Sequence, residues 1–221
     1  MAESRAADAL EHVVGALRGT TLREDPWPHC YLPNALPASM AEAIETSFKR
    51  FDLASVEGVN RDKTYRMRTR RLDPGATGGL PSPAWRHLVE ALSHDRYRAA
   101  VAGLTGVALD DTDLSLDLWE YRDGDWLAPH VDKPEKLVTQ LFYFSESWHP
   151  EAGGHLLVLD GGDSDRPVER LRPTTGASAL LVRSETSWHA VELSRGAGAS
   201  RCSIAATFWT RGSAPAPRQE S

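Results

Sequence analysis

The chain of 221 residues is poor in sulfur and in long apolar runs. It has two cysteines and three methionines, and nowhere the roughly 18 consecutive apolar residues that would cross a bilayer. Cys30 and Cys202 lie far apart and outside any metal-binding spacing. Neither a disulfide framework nor a zinc finger therefore organises the fold, and a reduced cytoplasmic protein is expected, with a single Cys30–Cys202 bridge left open as an alternative. An excess of positive charge is also missing. With 25 Lys and Arg against 31 Asp and Glu the formal charge is -6, so neither nucleic acid nor an anionic membrane is an expected partner, because both require clustered cations. The opening MAESRAADALEHVVGALRG has no apolar core of the signal-peptide kind, which makes a soluble intracellular protein the expectation. Its length suffices to bury a substantial core and is too short for two full enzymatic domains.

Periodicity divides the chain in two. Ala7, Leu10, Val13, Val14 and Leu17 recur at helical intervals and form one apolar stripe. The run DPWPHCYLPNALP breaks helix at its prolines, while Cys30, Tyr31 and Leu32 favour a short extended piece. Helices are predicted from about Ser39 to Phe51, Ser82 to Leu92 and Asp95 to Leu104. Residues 52–82 read as a long loop with one strand at Thr64 to Arg70. Beyond them the period changes to short β segments: Leu114 to Tyr121, Leu137 to Phe144, His155 to Leu159, Ala177 to Val182, Trp188 to Leu193 and Cys202 to Trp209. Such spacing indicates a β-sandwich or barrel. Residues 1–211 form a single domain in this reading, with 1–105 as mostly helical support that selects substrate, 112–211 as the β core, and 212–221 as a Pro- and Ala-rich disordered tail.

The chemistry-bearing residues sit in the β half. In LAPHVDKPEK, His130 and Asp132 are two apart, so at an extended strand end they project from one face and can share an ion. SWHAVEL supplies His189 as a third ligand. Two imidazoles and one carboxylate make a 2-His-1-carboxylate facial triad, which leaves coordination positions open for reactants. His-x-Asp alone is common and fits an exposed turn pair equally well. Arg201 and Ser203 shift that balance. They begin a strongly β-forming segment and face the same way, and an inward arginine there needs an anion. A dicarboxylate such as 2-oxoglutarate would satisfy it bidentately.

Taken in order, HVDKPEKLVTQLFYF, the Gly153-Gly154-x-Leu156 turn, WHAVEL and RCSIAATFW resemble the prolyl-4-hydroxylase-like branch of the iron(II)/2-oxoglutarate dioxygenases, including the hypoxia-inducible-factor prolyl hydroxylases. The likeness spans roughly Trp119 to Thr210. It implies a mainly β fold, a double-stranded β-helix (a cupin-like jelly-roll) packed with N-terminal helices. It implies Fe(II) held by His130, Asp132 and His189, and 2-oxoglutarate anchored by Arg201 with help from Ser203, Tyr143 and Tyr121. O2 is then the second co-substrate, ascorbate an optional reductant, and the products succinate and CO2 beside a hydroxylated substrate. The related halogenases carry a small residue where this chain has Asp132, so the intact carboxylate favours hydroxylation.

Substrate contacts are less legible. Arg66, Arg68 and Arg70 alternate in YRMRTRR and form either an anionic-substrate clamp or a charged edge strand. Trp126 and Trp148, on loops near the site, are candidates to line a pocket, whereas Trp209 reads as core. His149 and His155 read as surface or hydrogen-bonded residues. The leading expectation is hydroxylation of a small molecule, an amino acid or a derivative of one, free or tethered to a carrier protein. A peptide prolyl hydroxylase, a cupin-like metal-binding sensor and a zinc hydrolase are the competing readings, and the oligomeric state is open.

Overall fold

The computed structural model describes residues 2–59, 64–73, 75, 79–145, 148–163, 166–196 and 200–215, with side chains from residue 7 onward. Four helices and eleven strands follow in the order α1 (Ala2–Arg18), β1 (His29–Leu32), α2 (Ala38–Phe48), β2 (Ala54–Val59), β3 (Thr64–Leu72), α3 (Pro83–Leu92), α4 (Asp95–Thr105), β4 (Thr112–Tyr121), β5 (Trp126–His130), β6 (Lys136–Tyr143), β7 (Leu156–Val158), β8 (Glu169–Leu171), β9 (Ser178–Val182), β10 (His189–Val191) and β11 (Arg201–Thr210). Among the described residues the strands pair antiparallel and run β1-β9-β6-β11-β4-β3-β5-β10-β7-β8, with β2 on the outer edge of β3. The long β3 joins the two walls. Arg68 to Leu72 pair with β4, while Tyr65 and Arg66 pair with β5, and the sheet curls there into a nearly closed double-stranded β-helix.

Strand alternation separates two cores. Leu116, Leu118, Val138, Phe142, Ile204, Ala206 and Phe208 point outward and join the buried faces of the helices, including Leu10, Val13, Val14 and Leu17 of α1. Leu141, Tyr143, Ala179, Leu181 and Ala205 point into the barrel with Leu127, Leu156 and Val191 of the smaller wall. Helix ends follow local chemistry. Pro83 starts α3 where a missing N–H costs nothing, and Gly106, with φ of 70°, closes α4 in the left-handed conformation. A buried polar relay ties α4 to the sheet: the Tyr97 hydroxyl donates to Gln140 Oε1 at 3.0 Å, and Gln140 Nε2 donates to Ser178 Oγ at 2.9 Å.

The predicted helices and the six predicted strands of the second half are present. The 52–82 stretch differs from its reading as mostly loop. Ala54–Val59 forms β2, an edge strand exposed along both faces, so no apolar alternation announces it. β8 is too short to show a period. Both cysteines are free and buried, and burial pushes their thiols up, Cys30 to about 11 and Cys202 to about 12. The expected disordered tail begins ordered: Gly212 N donates to Asp113 Oδ2 at 2.7 Å, and Pro215 O accepts from Arg71. Residues 216–221 lie outside the described ones. Among the described residues no helix is long and apolar enough to cross a membrane. Tyr97→Phe should strand the buried Gln140 oxygen and lower stability by about 1–3 kcal/mol, measured by denaturant unfolding with little change in m-value.

Candidate metal centre and its dicarboxylate cavity

Strand register builds the first part of the site. His130 closes β5 directly across from His189, which opens β10, and their ring centroids lie 4.3 Å apart. Both rings are fixed in the same way. Nδ1 of His130 donates to the Ala128 carbonyl at 3.0 Å, and Nδ1 of His189 to the Ser187 carbonyl at 2.9 Å, which leaves each Nε2 as the lone-pair atom. Asp132, just past β5, places its carboxylate 3.7 Å from His130 Nε2 and 4.0 Å from His189 Nε2. The three ligand atoms lie within 4.8 Å of one another, and among the described residues this is the one such cluster able to hold a metal ion.

Its electrostatics suit a cation. Burial opposes ionisation of Asp132, yet Lys136 together with His130 and His189 holds that carboxyl well below its usual range. For His189, burial first and His130 second push the pKa down to about 3, so the ring is neutral at pH 7. A metal needs deprotonated ligands of this kind.

Arg201 borders the same cavity. It is 2% exposed, lies opposite Tyr121 on β4, and precedes by two positions Ser203, which lies opposite Tyr143 on β6. The guanidinium carbon sits 4.9 Å from the Tyr121 ring centre and 5.1 Å from that of Tyr143. None of the three guanidinium nitrogens has a hydrogen-bond partner among the described residues, and neither do the hydroxyls of Tyr121, Tyr143 and Ser203, although all are buried. Burial raises both phenols, Tyr143 to about 12, while the charge of Arg201 works the other way. A buried cation with unmatched donors is costly in a folded protein, and a carboxylate is the acceptor that fits it bidentately. The Gly153-Gly154 turn packs beside Arg201. Both glycines have positive φ, a Cβ on Gly153 would clash with the Leu193 carbonyl oxygen, and a Cβ on Gly154 would lie 3.0 Å from Ser194 Oγ.

Beside this cavity a groove of about 470 Å³ runs between the β2–β3 hairpin and the inner faces of β4, β6 and β11, with walls of Tyr65, Met67, Trp119, Lys136 and Trp209. Met67, Trp119 and Lys136 border groove and cavity alike. Several expected substrate contacts are displaced. Arg66 and Arg68 face the opposite side of β3. There Arg66 pairs with Asp125 at 2.9 Å and covers Trp126 at 5.2 Å, and Arg68 reaches Glu120 at 3.4 Å and the Leu53 carbonyl at 2.9 Å. Both hold the sheet edge and neither borders groove or cavity, because the strand alternation that aligns them also turns them away. Trp126 lies on the outer face of the small wall. Trp148 donates to the Gly153 carbonyl at 2.9 Å and props the glycine turn. Trp209, expected in the core, is buried as expected and also lines the groove, with its Nε1 donating to Ser115 Oγ at 2.9 Å. Sequence reasoning also passed over Trp119 and Lys136. Trp119 was recoverable, since it shares strand parity with Tyr121.

The antiparallel double-stranded β-helix thus sets two histidines and an aspartate, able to hold one metal ion, beside a buried arginine suited to a carboxylate. Residues 116–211, a little under half of the chain, match the model of the 2OG-Fe(II) oxygenase superfamily, a match that supports a 2-oxoglutarate-dependent dioxygenase using Fe(II), 2-oxoglutarate and O2. The fold is similar to that of a Pseudomonas putida prolyl-4-hydroxylase, at 22% identity and a TM-score of 0.63, over 92% of this chain and 100% of that one. It is also similar to a Trichoplax adhaerens prolyl hydroxylase in complex with a hypoxia-inducible-factor peptide fragment (17% identity, TM-score 0.65, 94% and 91% covered). HygX from Streptomyces hygroscopicus with nickel and 2-oxoglutarate bound shares the fold as well (16%, TM-score 0.54, 82% of each chain). No curated protein matches the sequence.

If the Arg201 charge is stranded in the ligand-free protein, Arg201→Met should raise its stability by roughly 1 kcal/mol or more. A calorimetric Tm equal to or below that of the unsubstituted chain would show that the guanidinium has a partner.

Proposed function

We propose that His130, Asp132 and His189 ligate the iron, that Arg201 anchors the distal carboxylate of 2-oxoglutarate with Tyr143 and Ser203, and that the enzyme hydroxylates a C–H bond of a small amino-acid-like molecule seated in the adjoining groove. The observation carrying this reading is the set of unpartnered buried donors on Arg201, Tyr121, Tyr143 and Ser203: Arg201 lines one cavity with the His–Asp–His cluster, and the two tyrosine rings lie about 5 Å from its guanidinium carbon. A sensor scaffold or a zinc hydrolase has no use for such an anion anchor. Bound together, iron and 2-oxoglutarate supply the oxidising chemistry and yield succinate and CO2. The chain's own residues orient the two imidazoles through Nδ1, keep Asp132 ionised, and surround the reacting end with Leu127, Leu141, Leu156 and Val191, which exclude water.

A groove of about 470 Å³ falls within the roughly 300–1,000 Å³ range of small-molecule pockets, which supports a small substrate. The likeness to prolyl hydroxylases favours a peptide as the second reading, and the solved relatives include both kinds, one of them with hygromycin B bound. Anaerobic addition of iron(II) and 2-oxoglutarate to the metal-free protein should produce the weak visible charge-transfer band of the chelate, and folded protein without that band would refute the assignment. Arg201→Ala should raise the 2-oxoglutarate concentration required by about thirtyfold or more while metal binding persists, as expected when one partner of a buried charge pair is truncated; His189→Ala should lose both. Succinate release stimulated by free amino acids rather than by proline-containing peptides would separate the two substrate readings.

A further inference from the structure

Lys136 occupies the junction between cavity and groove. Its Nζ donates to Asp132 Oδ1 at 2.7 Å, its side chain is only 12% exposed, and the ammonium lies 6.0 Å from the Trp119 ring and 5.5 Å from that of Trp209. Among the described residues Asp132 is its one hydrogen-bond acceptor, although an ammonium has more donors to place. The charge inventory around it does not balance. The cavity is lined by one carboxylate, Asp132, and by two cations, Lys136 and Arg201. A divalent metal and a 2-oxoglutarate dianion cancel each other, so the loaded site keeps one surplus positive charge. Arg201 is then occupied by the co-substrate, and Asp132 is shared with the metal. The surplus therefore falls on Lys136, on the groove side.

No group already in the groove absorbs it. Asp117 is taken up bidentately by Arg71, at 2.8 and 3.0 Å, and accepts from Ser115 Oγ at 3.0 Å. Asp52 and Arg70, the remaining charges of the lining, are one of each sign, and Arg70 donates to the backbone carbonyl of Asp52 at 3.4 Å. An anion from outside is the missing partner, in a low-dielectric slot where a single charge matters most.

We propose that Lys136, set between Trp119 and Trp209, is the substrate's anion subsite: the substrate is a carboxylic acid whose carboxylate seats on Lys136, a short chain away from the C–H bond that is oxidised. A carboxylate fits better than a phosphate dianion, because one surplus charge is available. This inference rests on the metal and co-substrate assignment above and specifies the substrate class.

The test uses the anaerobic iron(II)–2-oxoglutarate complex of the full chain, to which a panel of small carboxylic acids (N-acetylated amino acids and aromatic and short aliphatic acids) and their matching carboxamides is added. Tryptophan fluorescence and perturbation of the chelate band report binding. Acids should bind about tenfold or more tightly than their amides, the scale of a charge-assisted hydrogen bond. Lys136→Met should reduce that preference to within about twofold, and Lys136→Arg, which keeps the charge, should retain it. Amides binding as well as acids, an acid preference that survives Lys136→Met, or no Lys136-dependent signal from any acid would overturn the proposal. If the chelate band itself never forms, the earlier metal and co-substrate assignment has failed instead. Should Lys136→Met fold poorly, Lys136→Gln gives the same comparison.

Discussion

A guanidinium buried at 2% exposure with no anion beside it is a condition the rest of this barrel has to accommodate. Desolvating Arg201 is unfavourable, and the fold offsets part of that cost with two tyrosine rings stacked about 5 Å away on neighbouring strands. The remainder is a cost that a bound carboxylate would offset, in keeping with the anchoring role proposed for Arg201. The glycine turn at Gly153-Gly154 packs beside Arg201, and side chains there would meet the Leu193 carbonyl and Ser194 Oγ.

Strand alternation divides the work between the two faces of the large sheet. The outward residues of β4, β6 and β11 are mostly apolar and give the helices their footing, with Gln140 bonded to Tyr97 and Glu120 paired with Arg68. The inward residues carry the chemistry: Arg201 and Ser203 on β11, Tyr143 on β6, Trp119 and Tyr121 on β4. Because the helices secure the back of the sheet, the inner face can hold unmatched polar groups without losing the fold. The metal cluster sits on the other wall, where β5 and β10 pair, and it faces Arg201 across the barrel's interior.

The site could be read from the sequence to the extent that it follows strand parity. His130 with Asp132, and Arg201 with Ser203, are two apart, and period two puts each pair on one face whatever the global fold. Helix stripes such as Leu10, Val13, Val14 and Leu17 were legible for the corresponding reason at period 3.6. Parity indicates that residues share a face and leaves open which face it is, and this is why the sequence left Arg66 and Arg68 between a substrate clamp and a charged edge strand. They align as expected but turn outward, where Asp125 and Glu120 sit waiting in the tertiary structure. The exposed edge strand β2 had no pattern to read.

Lys136 marks the boundary most clearly. On β6 the inward residues Thr139, Leu141 and Tyr143 are odd-numbered, so counting by two sends Lys136 outward. The pairing of β6 with β11 slips between Phe208 and Trp209, which sets Lys136 opposite Trp209 and turns it into the barrel. A bulge of this kind is one extra residue in a ladder and leaves no composition signal. The sequence alone therefore determined most of the elements, the His–Asp–His and Arg–Ser pairs and the chemistry they allow, because those depend on local periodicity and residue type. Only the tertiary structure decided which aromatic rings and which lysine line the groove beside the His–Asp–His cluster, because that depends on the register between strands far apart in the chain.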